Sequence, residues 1–208
     1  MKIARTSRTV VSAIIIALSG SGVPISSLGT TRVVPTGYPT IQAAIWASSA
    51  GDTVLVLPGI YVENVVIDRQ LVVRSAQGPQ VTVIDGSAPG SPDSASVVRM
   101  SAGRIEGVDI RNGSGTLNAP FETWLGGGIL VTGIVEIVDN WIHANALSGA
   151  HGVGAGIYLD SGIALVARNR IFDNRIDCTE HGFAAAISGW EVAVVDNEVF
   201  DNHVARGS

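Results

Sequence analysis

The chain repeats itself at a spacing of 28 to 29 residues, and this repeat constrains the fold more than any other feature. Three segments align without gaps, and each carries two Asn residues five positions apart. The segments are 135–145, 164–174 and 192–202, and their Asn pairs are Asn140 and Asn145, Asn169 and Asn174, and Asn197 and Asn202. A short Gly/Ala-Ile element recurs between the copies. Periods of this length indicate a solenoid or an array of small structural units.

Within each copy, short β-branched runs alternate with polar residues. Val135 and Ile137 flank Glu136, so the apolar side chains share one face of a strand. A single unit cannot bury that face, whereas coils stacked about 4.8 Å apart can. A propeller would need four strands per unit, and a leucine-rich horseshoe would need a Leu-rich register. The sequence therefore predicts an all-β fold, a right-handed parallel β-helix.

The matched Asn residues are expected to form ladders along this solenoid. Equivalent side-chain amides in stacked coils can hydrogen-bond to one another. Asn also tolerates the left-handed backbone conformation that a sharp corner needs. A weaker copy, residues 104–112, is aligned with Gly107 and Asn112 at the two Asn positions.

One short helix is predicted ahead of the repeats. Thr40 is suited to the N-cap, and Gly51 ends the helix. Ile41, Ala44 and Ile45 form its apolar face. We expect this helix to cap the first coil and shield its apolar interior, in preference to a binding role.

Composition excludes several classes of protein. With 46% hydrophobic and 15% charged residues, the chain is not intrinsically disordered. Its 25 Gly residues follow no triplet period, so it is not collagen. The single Cys178 excludes an intramolecular disulfide and a Cys-based zinc site. A formal charge of -5 gives no electrostatic support for a nucleic-acid partner.

Residues 1–28 have the pattern of an export signal. Three basic residues precede an apolar core of nine residues, 10–18, and small residues follow. The core is too short to span a bilayer of roughly 30 Å as a helix. We expect a secreted or extracytoplasmic protein without a transmembrane segment in its mature chain; an N-terminal membrane anchor is the alternative. The β-helix domain is predicted to span 33–204.

Three motifs that come after the predicted export signal resemble the first coils of the pectin-lyase-like superfamily of parallel β-helix proteins. They lie at 38–45, 51–56 and 58–65, and the later Asn-turn units resemble that superfamily's repeats. The resemblance covers about residues 33 to 204. It implies the right-handed β-helix fold but no single activity, since the superfamily includes pectate lyases, pectin methylesterases, polygalacturonases and secreted or surface proteins without known chemistry.

The catalytic signatures of those enzymes are mostly missing from this chain. Nothing matches the strand that carries the nucleophilic Asp of pectin methylesterases. Ala150 stands where the Gly-His-Gly element of polygalacturonases has its first Gly, and there is no Asp-Asp pair. Trp141 and His143 match part of a Trp-x-Asp-His element of pectate lyases, but Ile142 precedes the His. Catalytic activity is therefore not evident.

Alignment of the repeats places charged residues in columns. Two columns are expected to form surface ladders: Trp141, Arg170 and Glu198, and Asp139, Arg168 and Asp196. A third column holds Asp173 and Asp201, whose carboxylates would repel unless a proton or a cation joined them. Because oxygen ligands suit Ca²⁺, this pair is the predicted metal site and Ca²⁺ the candidate cofactor. Two solvated carboxylates are the alternative.

Three insertions supply the candidate substrate-binding residues. Segments 113–127, 146–155 and 175–185 are predicted to be loops that leave the coils at the same corner and stack on one flank. Acids, histidines and an aromatic residue on adjoining loops are typical of a sugar or metal site. The candidates are Glu122, Trp124, His151, Asp177, Glu180 and His181.

Three functions fit these observations. The favoured one is a carbohydrate-binding or cell-surface module with polysaccharide as its partner. The second is a lyase or hydrolase of acidic glycans such as pectin, with Asp173, Asp201 and the loop residues in the site. The third is a structural or adhesive stalk. No Gly/Ala-Ile element follows Asn202, so the sequence predicts an incomplete final coil and, from it, end-to-end self-association.

Overall fold

A computed structural model of the chain describes residues 29–206, and these residues form a parallel β-helix. The predicted fold class is confirmed. The first 28 residues, which carry the predicted export signal, lie outside the described part. The helical elements are α1 (Ile41–Trp46) and a 3-10 turn (Ala119–Phe121). The strands are β1 (Thr31–Val34), β2 (Thr53–Val56), β3 (Gly59–Val62), β4 (Val65–Ile67), β5 (Val72–Ser75), β6 (Thr82–Asp85), β7 (Ser94–Ala95), β8 (Val98–Glu106), β9 (Asp109–Arg111), β10 (Gly115–Asn118), β11 (Thr123–Leu125), β12 (Ile129–Val138), β13 (Trp141–His143), β14 (Ala146–Val153), β15 (Ile157–Leu159), β16 (Ile163–Ala167), β17 (Arg170–Phe172), β18 (Arg175–Phe183), β19 (Ile187–Ser188), β20 (Val192–Val195), β21 (Glu198–Phe200) and β22 (His203–Arg206).

The strands form three sheets, one on each side of the coils. Sheet A holds β1, β2, β4, β5, β8, β12, β15, β16, β19 and β20; sheet B holds β3, β6, β9, β13, β17 and β21; sheet C holds β7, β10, β11, β14, β18 and β22. Neighbouring strands are parallel except in sheet C, where β10 runs antiparallel to β7 and β11. The repeat spacing therefore corresponds to one complete coil.

The core lies inside the coils and consists of stacked aliphatic columns. On sheet B, Ile110, Ile142 and Ile171 are in register and have no exposed surface. Full burial of such a side chain contributes about 1.5–3 kcal/mol. The alternation that predicted strands in each repeat is thus the alternation between the interior and the outer face.

The predicted Asn ladders are present at both corners of sheet B. Asn140, Asn145, Asn169 and Asn174 are buried. The Asn169 Oδ1 atom accepts hydrogen bonds from the Asn140 backbone N–H and Nδ2 at 2.9 and 3.1 Å. The Asn169 Nδ2 atom in turn donates to Asn197 Oδ1 at 2.9 Å. Each ladder side chain thus satisfies buried backbone and side-chain groups of its neighbours.

The left-handed conformation belongs to the residue before each ladder Asn, not to the Asn. Asp139 and Asp173 have φ values of 57° and 51°, and neither Asn140 nor Asn174 has positive φ. The expectation that Asn itself turns the corner is therefore wrong. Its side chain holds the ladder while the preceding residue makes the turn.

The weaker repeat copy is aligned one residue differently from the prediction. Ile110 pairs with Ile142, so Gly107 and Asn112 occupy the left-handed corner positions and not the Asn positions. Asn112 has a φ of 62°. The shift moves every side chain of this copy to a different column.

The recurring Gly in the Gly/Ala-Ile element makes room for the second ladder. A Cβ atom on Gly128 would lie 2.8 Å from Asn145 Nδ2 and 2.6 Å from the Gly156 carbonyl oxygen. A Cβ on Gly156 would similarly lie 3.1 Å from Asn174 Nδ2. The two repeated motifs are therefore parts of one packing arrangement.

Helix α1 is the predicted cap, although it ends at Trp46, before Gly51. Thr40 is the N-cap and its Oγ1 accepts a hydrogen bond from the Ala43 N–H at 3.1 Å. The Glu63 carboxylate accepts the N–H groups of Ile41 and Gln42 at 2.9 and 3.0 Å. Because the apolar face of α1 is fully buried, the helix covers the interior of the first coils.

The segments predicted to be loops are instead strands of sheet C. Segment 113–127 contains β10 and β11, 146–155 contains β14, and 175–185 contains β18. They do stack on one flank, because β14 pairs with both β11 and β18. Neighbouring coils provide hydrogen-bond partners for sequences with little strand propensity of their own.

The last coil continues all three sheets, and β22 pairs with β18. Val194 and Val199 continue core columns but are about half exposed. Association of copies of the chain through such residues stays a prediction. No helix in residues 29–206 is long and apolar enough to cross a membrane.

Replacing Asn169 with Ala tests the ladder. The substitution leaves buried N–H groups of Asn140 without their acceptor and should lower the free energy of unfolding by ~1–3 kcal/mol. Asn197→Ala, at the half-buried end of the same ladder, is the matched control and should lower the free energy of unfolding by less. Urea unfolding measures both. An unchanged midpoint for Asn169→Ala would show that the ladder does not stabilise the fold.

Candidate functional site

Two of the predicted site residues, His151 and His181, lie side by side on sheet C. They are in register, and their rings stack with centroids 5.4 Å apart and an angle of 14° between planes. Glu180 Oε2 lies 3.6 Å from His151 Nε2. The ring centroids of His181 and Phe183 are 6.3 Å apart. These imidazoles thus adjoin an aromatic side chain that the sequence analysis did not select.

The other predicted residues are placed apart from this pair. Trp124 packs against the small buried cluster that includes Leu147 and Cys178. Glu122 follows the 3-10 turn with a φ of 48°, and Asp177 forms an ion pair with Arg175. The structure therefore brings together His151, Glu180 and His181, and it gives Trp124 a packing role.

A groove follows the solenoid along sheet A, and Phe183, whose ring lies next to that of His181, lines part of it. Its floor is a column of outward-facing side chains in register on β4, β8, β12, β15 and β19. The column consists of Val66, Arg99, Leu130, Tyr158 and Ser188. We call this feature the axial groove. It contains two depressions. The smaller one, of about 230 Å³, lies at Arg99 and Leu130 and is called the narrow depression; the larger one, of about 430 Å³, lies at Tyr158 and Ser188 and is called the wide depression.

The wide depression is lined by three aromatic side chains. Tyr158 lies on the floor, and Phe183 and Trp190 stand at the sides. Phe183 is 61% exposed and Trp190 is 97% exposed, and the three rings do not stack on one another. Burial raises the pKa of the Tyr158 hydroxyl, and the charge of Asp160 raises it further. Aromatic faces are therefore available to a ligand here.

The sequence held only a partial signal for this groove. The outward position of Tyr158 follows from the alternation in the Gly/Ala-Ile element. Phe183 was assigned to a loop, and Trp190 lies in a turn between the two runs of sheet A in the same coil. Nothing in the repeat alignment indicates that these rings share a cavity.

Sheet B carries a second cluster of polar side chains that sequence reasoning missed. Arg111 lies between Asp85 and Asp109, at 3.3 and 3.8 Å from their carboxylates. His143 Nε2 lies 2.9 Å from Asp109 Oδ1, but Asp109 Oδ1 accepts no well-aligned hydrogen bond from a described residue. The one-residue misalignment of the weaker copy hid this cluster, because Asp109 adjoins Trp141 and Arg111 adjoins His143 only in the observed register.

The carboxylate of Asp85 is held in its ionised form. Burial alone would raise the pKa of Asp85, but hydrogen bonds from Ser87, Asn112 and Arg111 outweigh it and lower the pKa. The Asn112 Nδ2 bond is 2.9 Å long. These contacts link neighbouring coils, which favours a stabilising role for this carboxylate.

On sheet B, the aromatic side chains of the last three coils contact one another or an arginine. The rings of His143 and Phe172 stack at 4.6 Å, and those of Phe172 and Phe200 at 5.0 Å, with nearly parallel planes. Arg170 lies 5.4 Å from the Trp141 ring and donates a hydrogen bond to Glu198 at 2.8 Å. The predicted Trp141 column is thus a ladder within the protein. In the Asp139 column, Arg168 forms a two-pronged pair with Asp139 at 2.7 and 2.8 Å, whereas Asp196 forms no ion pair with Arg168.

Asp173 and Asp201 occupy matching left-handed corners beside sheet B. Their φ values are 51° and 52°, and both residues are exposed. Within residues 29–206, no group of three or more His, Cys, Asp or Glu side chains is arranged to hold a metal ion. The Ca²⁺ site therefore stays a prediction that rests on two carboxylates.

Comparisons with known proteins find fold relatives only. No family model matches the chain, and no curated protein matches it. Similar solved structures include a mutant pectin methylesterase bound to a hexasaccharide, at 12% identity and a TM-score of 0.44, covering 87% of this chain and 81% of that one. A pectin methylesterase with another hexasaccharide has 14% identity and a TM-score of 0.47, covering 88% and 68%. The rice weevil pectin methyl esterase has 14% identity and a TM-score of 0.36, covering 81% and 68%. The parallel β-helix of this chain is established by its own strand pairing.

Calcium is tested through thermal unfolding. If Asp173 and Asp201 share a cation, millimolar Ca²⁺ should raise the Tm by mass action on the folded state, and Asp201→Asn should abolish that rise. Asp196→Asn, an exposed residue at the opposite corner of sheet B, is the matched control and should retain the rise. A Tm that is insensitive to Ca²⁺ in the unmodified chain would identify two solvated carboxylates.

Proposed function

We propose that this protein binds a polysaccharide along the axial groove. The observation that carries the proposal is the set of three unstacked aromatic rings, Tyr158, Phe183 and Trp190, around an open depression of about 430 Å³. Exposed aromatic rings beside a cavity favour a ligand with both apolar faces and polar edges, which describes a pyranose ring. His181 lies next to Phe183 and stacks on His151, and imidazoles can hydrogen-bond to hydroxyl groups.

The direction of the groove supports a chain-like ligand. Its floor advances by one residue per coil, about 4.8 Å, which is comparable with the length that one pyranose residue adds to an extended polysaccharide. Arg99 and Ser188 lie at separate places along this floor. Successive sugars would therefore meet successive coils and a different side chain in each.

An enzyme acting on the same ligand is the second candidate. It is favoured by the contact between His151 and Glu180, which pairs an imidazole with a carboxylate on sheet C, the sheet that also carries Phe183. Release of reducing ends or of ultraviolet-absorbing unsaturated sugars from a bound polysaccharide would identify a hydrolase or a lyase. Retention without products would identify a binding module.

Export across a membrane is part of the proposal. Residues 1–28 carry the basic, apolar and small-residue order of a secretion signal. We expect N-terminal sequencing of exported protein to begin between about residues 20 and 31, after removal of this segment. Exported protein that retains Met1 would contradict cleavage and favour an anchor.

Substitution of Trp190 tests the groove. Trp190→Ala should reduce retardation in polysaccharide-containing gels, with an affinity loss of about tenfold, because a stacking face is removed. Trp46→Ala is the matched control, since Trp46 is also well exposed but lies on α1. The Tm of both variants should match that of the unmodified chain. Equal retardation of all three proteins would exclude the wide depression as the binding site.

A further inference from the structure

Trp190 stands between two depressions of different character. On one side is the wide aromatic depression with Tyr158 and Phe183. On the other side is a depression of about 280 Å³ whose lining includes Asp160, Ser161 and Glu191. A ligand that covers the indole ring therefore meets aromatic faces and carboxylates together.

The charge around Trp190 has one sign. Asp160 and Glu191 are the only charged side chains that line either depression, and both are exposed. Neither forms an ion pair with another described residue. The charge of Asp160 also reaches the aromatic side, since it contributes to the raised pKa of Tyr158. The site around Trp190 therefore carries negative charge that is not paired with a cationic side chain.

The positively charged side chain of the axial groove, Arg99, lies away from Trp190. Arg99 is in register with Leu130, which is in register with Tyr158, so Arg99 is two coils from the floor of the wide depression. The strand backbones at these two positions are about 10 Å apart, so a sugar at Trp190 lies about two coils from Arg99, and ionic screening weakens attraction over that distance. An acidic polysaccharide at Trp190 would place its carboxylates beside Asp160 and Glu191 without a compensating cation.

We infer that the sugar bound at Trp190 carries a protonated amine, so that the ligand is a polysaccharide containing amino sugars with free amino groups. An ammonium group is attracted to the faces of aromatic rings, and three such rings line this depression. Asp160 and Glu191 complete the arrangement as charged hydrogen-bond acceptors. The inference rests on the proposed function and specifies the ligand of that groove.

Three oligosaccharides of equal length separate the ligand classes: an oligomer of glucosamine, its N-acetylated form, and an oligogalacturonate. Titration calorimetry at about pH 5.5 is suitable, because ordinary carboxylic acids are then ionised and amines carry a proton. The glucosamine oligomer should bind about tenfold or more tightly than the neutral acetylated form. The oligogalacturonate should bind least. Added salt should weaken the binding of the glucosamine oligomer.

Two sets of substitutions assign the effect to residues. Asp160→Asn combined with Glu191→Gln should lower the affinity for the glucosamine oligomer about tenfold and leave the acetylated form unaffected. Asp93→Asn combined with Asp196→Asn, which removes two exposed acids that line neither depression, is the matched control and should leave the affinity for the glucosamine oligomer unchanged. All these side chains are exposed, so the Tm should change little.

The possible failures are distinguishable. Equal binding of the amine and acetylated oligomers, with no effect of the acid substitutions, would overturn the inference and leave a neutral sugar in the groove. Tightest binding of the oligogalacturonate, abolished by Arg99→Gln, would overturn it in favour of an acidic ligand. In both cases, weaker binding of the sugar by Trp190→Ala would still support the proposed function. If none of the three oligosaccharides and no member of a wider polysaccharide panel binds, the inference and the proposed function are both overturned.

Discussion

The two Asn ladders are the interaction on which the rest of the structure depends. Each corner of sheet B in the Asn repeats turns the chain from one sheet to the next within two residues, which would leave buried N–H and C=O groups without partners. The ladder side chains supply those partners, as when Asn145 Oδ1 accepts from the Gly113 N–H at 2.9 Å. Because each amide bonds to the coil on either side, the ladders also fix the register between coils. Every outward column is aligned as a consequence.

Fixed register has different consequences on the three sides of the solenoid. On sheet B, stacking covers the ring faces of Phe172 and His143, and the charged columns pair within themselves. Stacking of this kind stabilises the fold but leaves little for a ligand. On the groove side, Tyr158 is followed by Ser188, so no ring stacks above it in register. A binding surface arises where the repetition of side chains stops.

Charge is distributed unevenly along the groove. Arg99 lies at the narrow depression, and Asp160 and Glu191 lie beside Trp190. A repeating solenoid allows this because outward residues can change from coil to coil while the core and the ladders stay constant. The groove therefore combines a uniform spacing with side chains that differ at each step, which is how a linear polymer can be bound with selectivity for some of its units.

The sequence by itself determined the repeat, the parallel β-helix, both ladders, the cap α1 and the columns of Trp141 and Asp139. These features follow from patterns within one repeat and from the alignment of the copies, and each is confirmed. Export and Ca²⁺ binding stay predictions. Register in the weaker copy was decided by tertiary structure, because without Asn at the ladder positions a shift by one residue could not be excluded. Sheet C was decided in the same way, since segments such as β14 become strands only when neighbouring coils supply their hydrogen bonds. The axial groove also required the folded structure: Tyr158, Phe183 and Trp190 belong to different strands and turns, and only the closing of successive coils places them around one depression.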